Sequence, residues 1–173
     1  AYNLLYICIL PSLILYNFWL KKIPFIGNLI ISLLLGCIFL FTELVLAHSY
    51  NQLFIIFILT VSFSFTREMI KDLQDYNGDL AVKMKTAPII MGKKNFILFI
   101  KFWILFLLIL LPIPYFLFNY SLKYLTLVII FIEIPLIYSL FLLIKFPSKR
   151  TYKYLADLLK ILCLLGLIIL MIG

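Results

Sequence analysis

The chain has 173 residues, of which 66% are hydrophobic and 13% charged, and a mean hydropathy of +1.20. That is far from the composition of a water-soluble domain, and no globule of this size could hide so much apolar surface. The formal net charge of +8 does not point to nucleic acid, because the basic residues gather at the ends of apolar runs instead of forming a patch interleaved with exposed aromatics.

The apolar runs predict an all-α, polytopic transmembrane bundle of six spans forming a single domain. The first runs from about Tyr2 to Leu20, includes Pro11, and ends at Lys21, Lys22 and Pro24. It starts at once after Ala1, without a basic leader or a cleavage site, so it is not expected to be a signal peptide. The sequence is expected to be part of something longer, as the last six of nine membrane helices. The second span, about Leu29 to Ala47, carries Gly36, where a neighbouring helix can approach closely, and Glu43. A short turn with His48 follows, a polar loop residue. The third span, about Leu53 to Thr66, is short for a crossing, so its helix is expected to run on past the membrane edge. Span four covers about Asn95 to Phe118 with Lys101, Pro112 and Pro114. Span five covers Tyr124 to Ile144 with Glu133 and Pro135, and span six Leu155 to Ile172. The three cysteines, Cys8, Cys37 and Cys163, are scattered through apolar segments and read as buried hydrophobes.

Sorting the loops by side gives twelve basic residues against one. Lys21, Lys22, Arg67, Lys71, Lys83, Lys85, Lys93, Lys94, Lys145, Lys149, Arg150 and Lys153 share one side, and Lys123 stands alone on the other. The twelve should face the cytoplasm.

Only seven residues are acidic, and four of them, Glu68, Asp72, Asp75 and Asp79, fall between Arg67 and Asp79. On a helix at about 100° per residue they lie within an arc of roughly 60°. Four carboxylates on one stripe repel; Arg67 and Lys71 flank the stripe and offset part of that cost. The stripe makes sense if a divalent cation completes it, and Mg²⁺ takes carboxylates together with a substrate's phosphate oxygens. The plainer alternative is a solvated helix end. Lys83, Lys85 and Thr86 follow, and suit a diphosphate. Apolar helices around such a group would suit a lipid diphosphate better than a nucleotide.

The pattern RExxKDxxDxxGD from Arg67 to Asp79, followed by Lys85, Thr86, Pro88 and Ile89, resembles the second aspartate-rich motif of the UbiA-type intramembrane prenyltransferases. Leu15 and Tyr16, the Lys21–Pro24 stretch and Gly27–Asn28 resemble the segment between two spans upstream of that motif. The form looks most like the digeranylgeranylglyceryl-phosphate synthase branch, and also resembles quinone- and chlorophyll-type relatives. The resemblance implies Mg²⁺-dependent transfer of a prenyl group, such as geranylgeranyl, from a prenyl diphosphate to a lipophilic acceptor in the bilayer. That acceptor would be geranylgeranylglyceryl phosphate or, alternatively, an aromatic quinone precursor. It implies Asp75 and Asp79, with Asp72 as a third, as catalytic metal-holding residues. Lys83 and Lys85, with Arg67 and Lys71, are the substrate-binding candidates. A first motif of the NDxxDxxxD kind is absent, so these residues alone are expected to be inactive.

Other residues carry plainer readings. Glu133, in mid-span, either lines a chamber or is protonated and bonded to its helix. Glu43, near a span end, favours a structural role. Asp157 is expected to pair with Lys153 and Lys160. Asn28 is a candidate helix cap. Two other functional classes stay open, a polytopic transporter and a non-catalytic fragment. The first is disfavoured because the acids cluster at the membrane edge.

Overall fold

In the computed structural model, residues 23–47 and 53–172 are described; the first predicted span, Cys8 and His48 lie outside them. The described residues form helices α1 (Ile26–Ala47), α2 (Phe54–Ala81), α3 (Ala87–Met91), α4 (Lys93–Leu110), α5 (Ile113–Leu117), α6 (Leu122–Val128), α7 (Ile134–Lys145) and α8 (Lys149–Ile172). A π-helical segment, Ile129–Glu133, joins α6 to α7 without a break.

The predicted all-α, membrane-spanning fold is borne out. Four helical stretches, Ile26–Leu46, Lys93–Leu117, Leu122–Lys145 and Lys149–Ile172, are long and apolar enough to cross a bilayer. Their outward faces are large apolar side chains, with Ile109, Phe116 and Leu117 each about 70% exposed; in a bilayer that surface meets lipid rather than water.

α2 is the central helix. It spans 28 residues, about 42 Å at 1.5 Å per residue. The predicted continuation of the third span into the acidic stripe is therefore one unbroken rod. α1 lies antiparallel along it, as three contacts in reversed order show. Near one end Asn28 meets Asp72. In the middle Gly36 faces Phe57 and Val61. At the other end Glu43 Oε2 accepts the Leu53 backbone N–H at 2.9 Å. That last bond satisfies one of the unpaired donors at the start of α2, which gives Glu43 its structural role. A Cβ added at Gly36 would lie 2.5 Å from Val61 Cγ2, so the close approach expected there is real.

The other face of α2 packs on α4 and α8. α4 contributes the buried row Phe96, Ile100, Ile104 and Leu107, and α8 contributes Tyr152, Leu155, Leu159 and Leu162; both rows have helical spacing. Pro112 has no N–H and ends α4, and Tyr115 N–H bonds to Pro112 O instead of Leu111 O. The Leu111 carbonyl is taken up by Tyr124 Oη at 2.8 Å. The π-helical segment precedes Pro135, whose ring would clash with a regular preceding turn.

Candidate functional site

Because α2 continues beyond Thr66, it carries its carboxylates out of the apolar layer at fixed spacing. They form one wall of a cavity of about 680 Å³. Asp72, Asp75, Asp79, Glu68 and Lys71 come from α2. Phe25, Gly27 and Asn28 close the α1 side, and Lys83, Lys85 and Thr86 close the side toward α3. The cavity thus brings together three aspartates and three of the four predicted substrate-binding residues.

Arg67 is not on its wall. Its Nη1 donates to Glu68 Oε1 at 2.7 Å, and Lys71 Nζ donates to Glu68 Oε2 at 2.9 Å. Glu68 is buried and held by two cations, which makes it the anchor of the stripe rather than a carboxylate free for a ligand. The remaining stripe is Asp72, Asp75 and Asp79, graded from half-buried Asp72 to exposed Asp75.

Asp72 differs chemically from its neighbours. Asn28 Nδ2 donates to Asp72 Oδ2 at 2.7 Å. Burial pushes the Asp72 carboxyl up to about 6; the Asn28 hydrogen bond opposes the shift, while Asp79, Glu68 and Asp75 add to it. Asp79 is also raised, first by burial and then by Asp75, with the Thr86 hydroxyl pulling the other way. Thr86 Oγ1 itself is buried and meets no partner at hydrogen-bond geometry. The Asp79 effect is therefore one of proximity, and a donor and acceptor on the cavity wall is left for a ligand.

The lysines are placed by the end of α2. Lys83 has φ +55°, the left-handed conformation in which glycine is usual. Its N–H bonds to Leu80 O at 3.2 Å, and Met84 N–H reaches back to Asp79 O at 2.9 Å. These two bonds make a Schellman motif, which turns the chain so that Lys83 and Lys85 stand across the cavity from the carboxylates. Phe25, at the opposite rim, also has a left-handed φ of 63°. Its ring stands edge-on to Phe99 at 5.3 Å and tilted on Phe96 at 5.8 Å.

Two expectations are corrected. Asn28 lies inside α1, not at its cap, and its amide reaches across to α2, 44 residues away. Only its place in the Gly27–Asn28 segment hinted at a role. Asp157 is exposed and makes no ion pair with Lys153 or Lys160; at this helical spacing an exposed pair gains only a few tenths of a kcal/mol, about what holding two side chains together costs. Glu133 lies apart from the cavity, in the π-helical segment, with Oε1 buried and without a hydrogen-bond partner.

Among the described residues, no three His, Cys, Asp or Glu side chains converge closely enough to enclose a metal on their own. The carboxylates instead line an open wall. That donor set fits Mg²⁺, which is held by one or two carboxylates plus waters and substrate phosphates rather than by an all-protein cage.

Fold and site together define an integral membrane protein with an acid-lined cavity faced by lysines. The profile of the UbiA prenyltransferase family matches residues 2–165, and the chain belongs to that family. It is 35% identical over 161 residues to a digeranylgeranylglyceryl phosphate synthase of Methanocaldococcus jannaschii, covering 93% of this chain and 56% of that protein. It is 32% identical over 167 residues to one of Methanococcus maripaludis, covering 95% and 59%. A solved structure of digeranylgeranylglyceryl phosphate synthase in membranes matches with a TM-score of 0.85 at 34% identity, over 96% of this chain and 59% of that one. The chain spans little more than half the length of these relatives.

Proposed function

We propose that this chain supplies the acidic half of a prenyl-diphosphate site, in a membrane enzyme that transfers a geranylgeranyl group to geranylgeranylglyceryl phosphate. The observation that carries the reading is the pairing of Asp72, Asp75 and Asp79 with Lys83, Lys85 and Thr86 across one cavity at the membrane edge. The names of the relatives support the choice of acceptor.

Asp75 and Asp79 would hold the Mg²⁺ that accompanies a diphosphate, and Asn28 holds Asp72 beside them. Bound there, Mg²⁺ supplies charge neutralisation for the departing diphosphate. Lys83 and Lys85 place ammonium groups on the phosphate oxygens, and the buried Thr86 hydroxyl donates to one of them. The bond between the allylic carbon and the diphosphate oxygen breaks with its electron pair going to oxygen. The acceptor hydroxyl oxygen then bonds to that carbon and its proton passes to the departed diphosphate. The hydrocarbon lies along the apolar helices, where water is scarce. The excess of basic residues on this side of the bundle supports a cytoplasmic position for the cavity.

The test is transfer of radiolabelled geranylgeranyl diphosphate by the whole gene product in membranes, with and without Mg²⁺, across glycerophosphate and aromatic acceptors. Asp75→Ala and Asp79→Ala should each lower turnover at least about 100-fold, the order of a lost transition-state electrostatic contact. Turnover that survives both substitutions would mean the stripe is only a solvated helix end.

A further inference from the structure

A second groove of about 620 Å³ opens between the N-terminal end of α4 and the C-terminal end of α7, at the same end of the bundle as the acidic cavity. Lys93, Lys94, Asn95 and Lys101 line it, and no acidic residue does. Its remaining wall is apolar, including Leu98, Leu143 and Ile144.

The three lysines are differently engaged. The Lys93 ammonium lies 5.6 Å from the Tyr76 ring centre and 5.3 Å from that of Tyr152, a cation–π arrangement that turns it toward α2 and α8. Lys94 and Lys101 belong to neither ion pair formed among the described residues, Arg67–Glu68 and Lys71–Glu68. Seven residues apart, they share one face of α4, roughly 10 Å apart along its axis, with Ile97 and Leu98 between them. Both placements are unfavourable on their own. Lys94 stands in the first turn of an 18-residue helix, where the dipole favours anions. Lys101 lies two turns inside a span of 25 residues with mean hydropathy 2.8, where an ammonium is costly. One anion seated between them relieves both.

We propose that this groove binds the phosphate headgroup of an anionic bilayer lipid. Lys94 and Lys101 bracket the phosphate; Asn95, whose Nδ2 gives one N–H to Met91 O at 3.1 Å, donates its second to it; and the hydrocarbon chain lies on Leu98 and Ile144, whose side chains are about half exposed. The apolar wall and the depth of Lys101 select a lipid over a free phosphate, because a soluble anion would leave that wall uncovered. Lysines between membrane helices at the anionic leaflet suit this role. The site shares no lining residue with the acidic cavity and does not depend on the reaction proposed there.

The test uses the whole gene product in nanodiscs of phosphatidylcholine with and without phosphatidylglycerol, with retained lipid counted by native mass spectrometry. Lys94→Gln/Lys101→Gln should weaken phosphatidylglycerol retention by roughly tenfold or more, at about fivefold per lysine. Lys94→Gln alone, at an exposed position, should give about fivefold, and serves if the double variant does not fold. Lys94→Arg/Lys101→Arg should retain the lipid. Lys149→Gln/Arg150→Gln, an exposed basic pair at the same end of the bundle, should leave retention unchanged. An equal loss in that control pair would reduce the effect to diffuse attraction by a basic face and overturn the proposal. So would complete displacement of the lipid by inorganic phosphate.

Discussion

At the scale of single residues, the site is decided by which carboxylate has which partner. Glu68 is held by Arg67 and Lys71, whereas Asp72 has one neutral donor, Asn28. Removing that donor in Asn28→Ala takes away a hydrogen bond to a charged group, worth about 1.5–3 kcal/mol. Affinity for a Mg²⁺–diphosphate analogue should fall roughly 10- to 100-fold by calorimetry. Because the amide donates and a second carboxylate repels, Asn28→Asp should bind worse than Asn28→Ala; the opposite order would remove the amide's assigned role. The raised Asp72 carboxyl, at about 6, fixes a pH dependence as well. Its folded pKa lies above the unfolded 3.8, so the folded state holds the extra proton between those values. Its contribution to stability is fully present below about pH 4 and is lost as the pH rises through about 6. Ligand binding runs the other way, since a proton on Asp72 competes with the metal. Affinity for the analogue should decline as the pH falls from 7 to 5, and a flat profile would show that Asp72 is not a ligand.

At the scale of helices, the turn after α2 and the contact between α1 and α2 position everything above. Lys83 occupies a left-handed C-terminal position that glycine fills without strain. Lys83→Gly should therefore raise stability by about 1 kcal/mol, seen as a higher Tm, while lowering affinity for the diphosphate analogue. A higher Tm with unchanged affinity would mean that the lysine serves only the turn. Gly36 sets how closely α1 approaches α2 and so whether Asn28 reaches Asp72. Gly36→Ala places a methyl 2.5 Å from Val61 and 2.9 Å from Phe57, an overpacking expected to cost about 1–3 kcal/mol. Gly166→Ala, whose added Cβ meets nothing within 4 Å, should be tolerated. Thermal unfolding in detergent compares the two variants.

At the scale of the whole molecule, much of the architecture was legible because membrane helices announce themselves by length and apolar content. The continuation of α2 could be read from two local signals, a third span too short to cross and four acids at helical spacing. The pairing of Asn28 with Asp72 could not, since a contact across 44 residues leaves no period in the chain. Nor could the choice of Arg67 and Lys71 for Glu68, which depends on the burial of Glu68 against neighbouring helices, or the π-helical segment before Pro135, where the buried row Tyr124, Val128, Ile132 and Leu136 keeps an even four-residue spacing. The orientation in the bilayer follows from loop charge and can be tested on the molecule as a whole. Antiparallel packing puts the loop between α7 and α8 at the same end as the acidic cavity, and the start of α6 at the other. In a variant whose three cysteines are replaced by serine, a new cysteine at Ser148 should react with a membrane-impermeant maleimide only in inside-out vesicles. One at Leu122, exposed at the start of α6, should react only in right-side-out vesicles. Opposite reactivity of the two sites with the sides exchanged would place the acidic cavity outside the cell, where twelve of the thirteen cations in loops and near helix ends would violate the positive-inside rule. Labelling of both sites from one side would be incompatible with α6, the π-helical segment and α7 acting as one span.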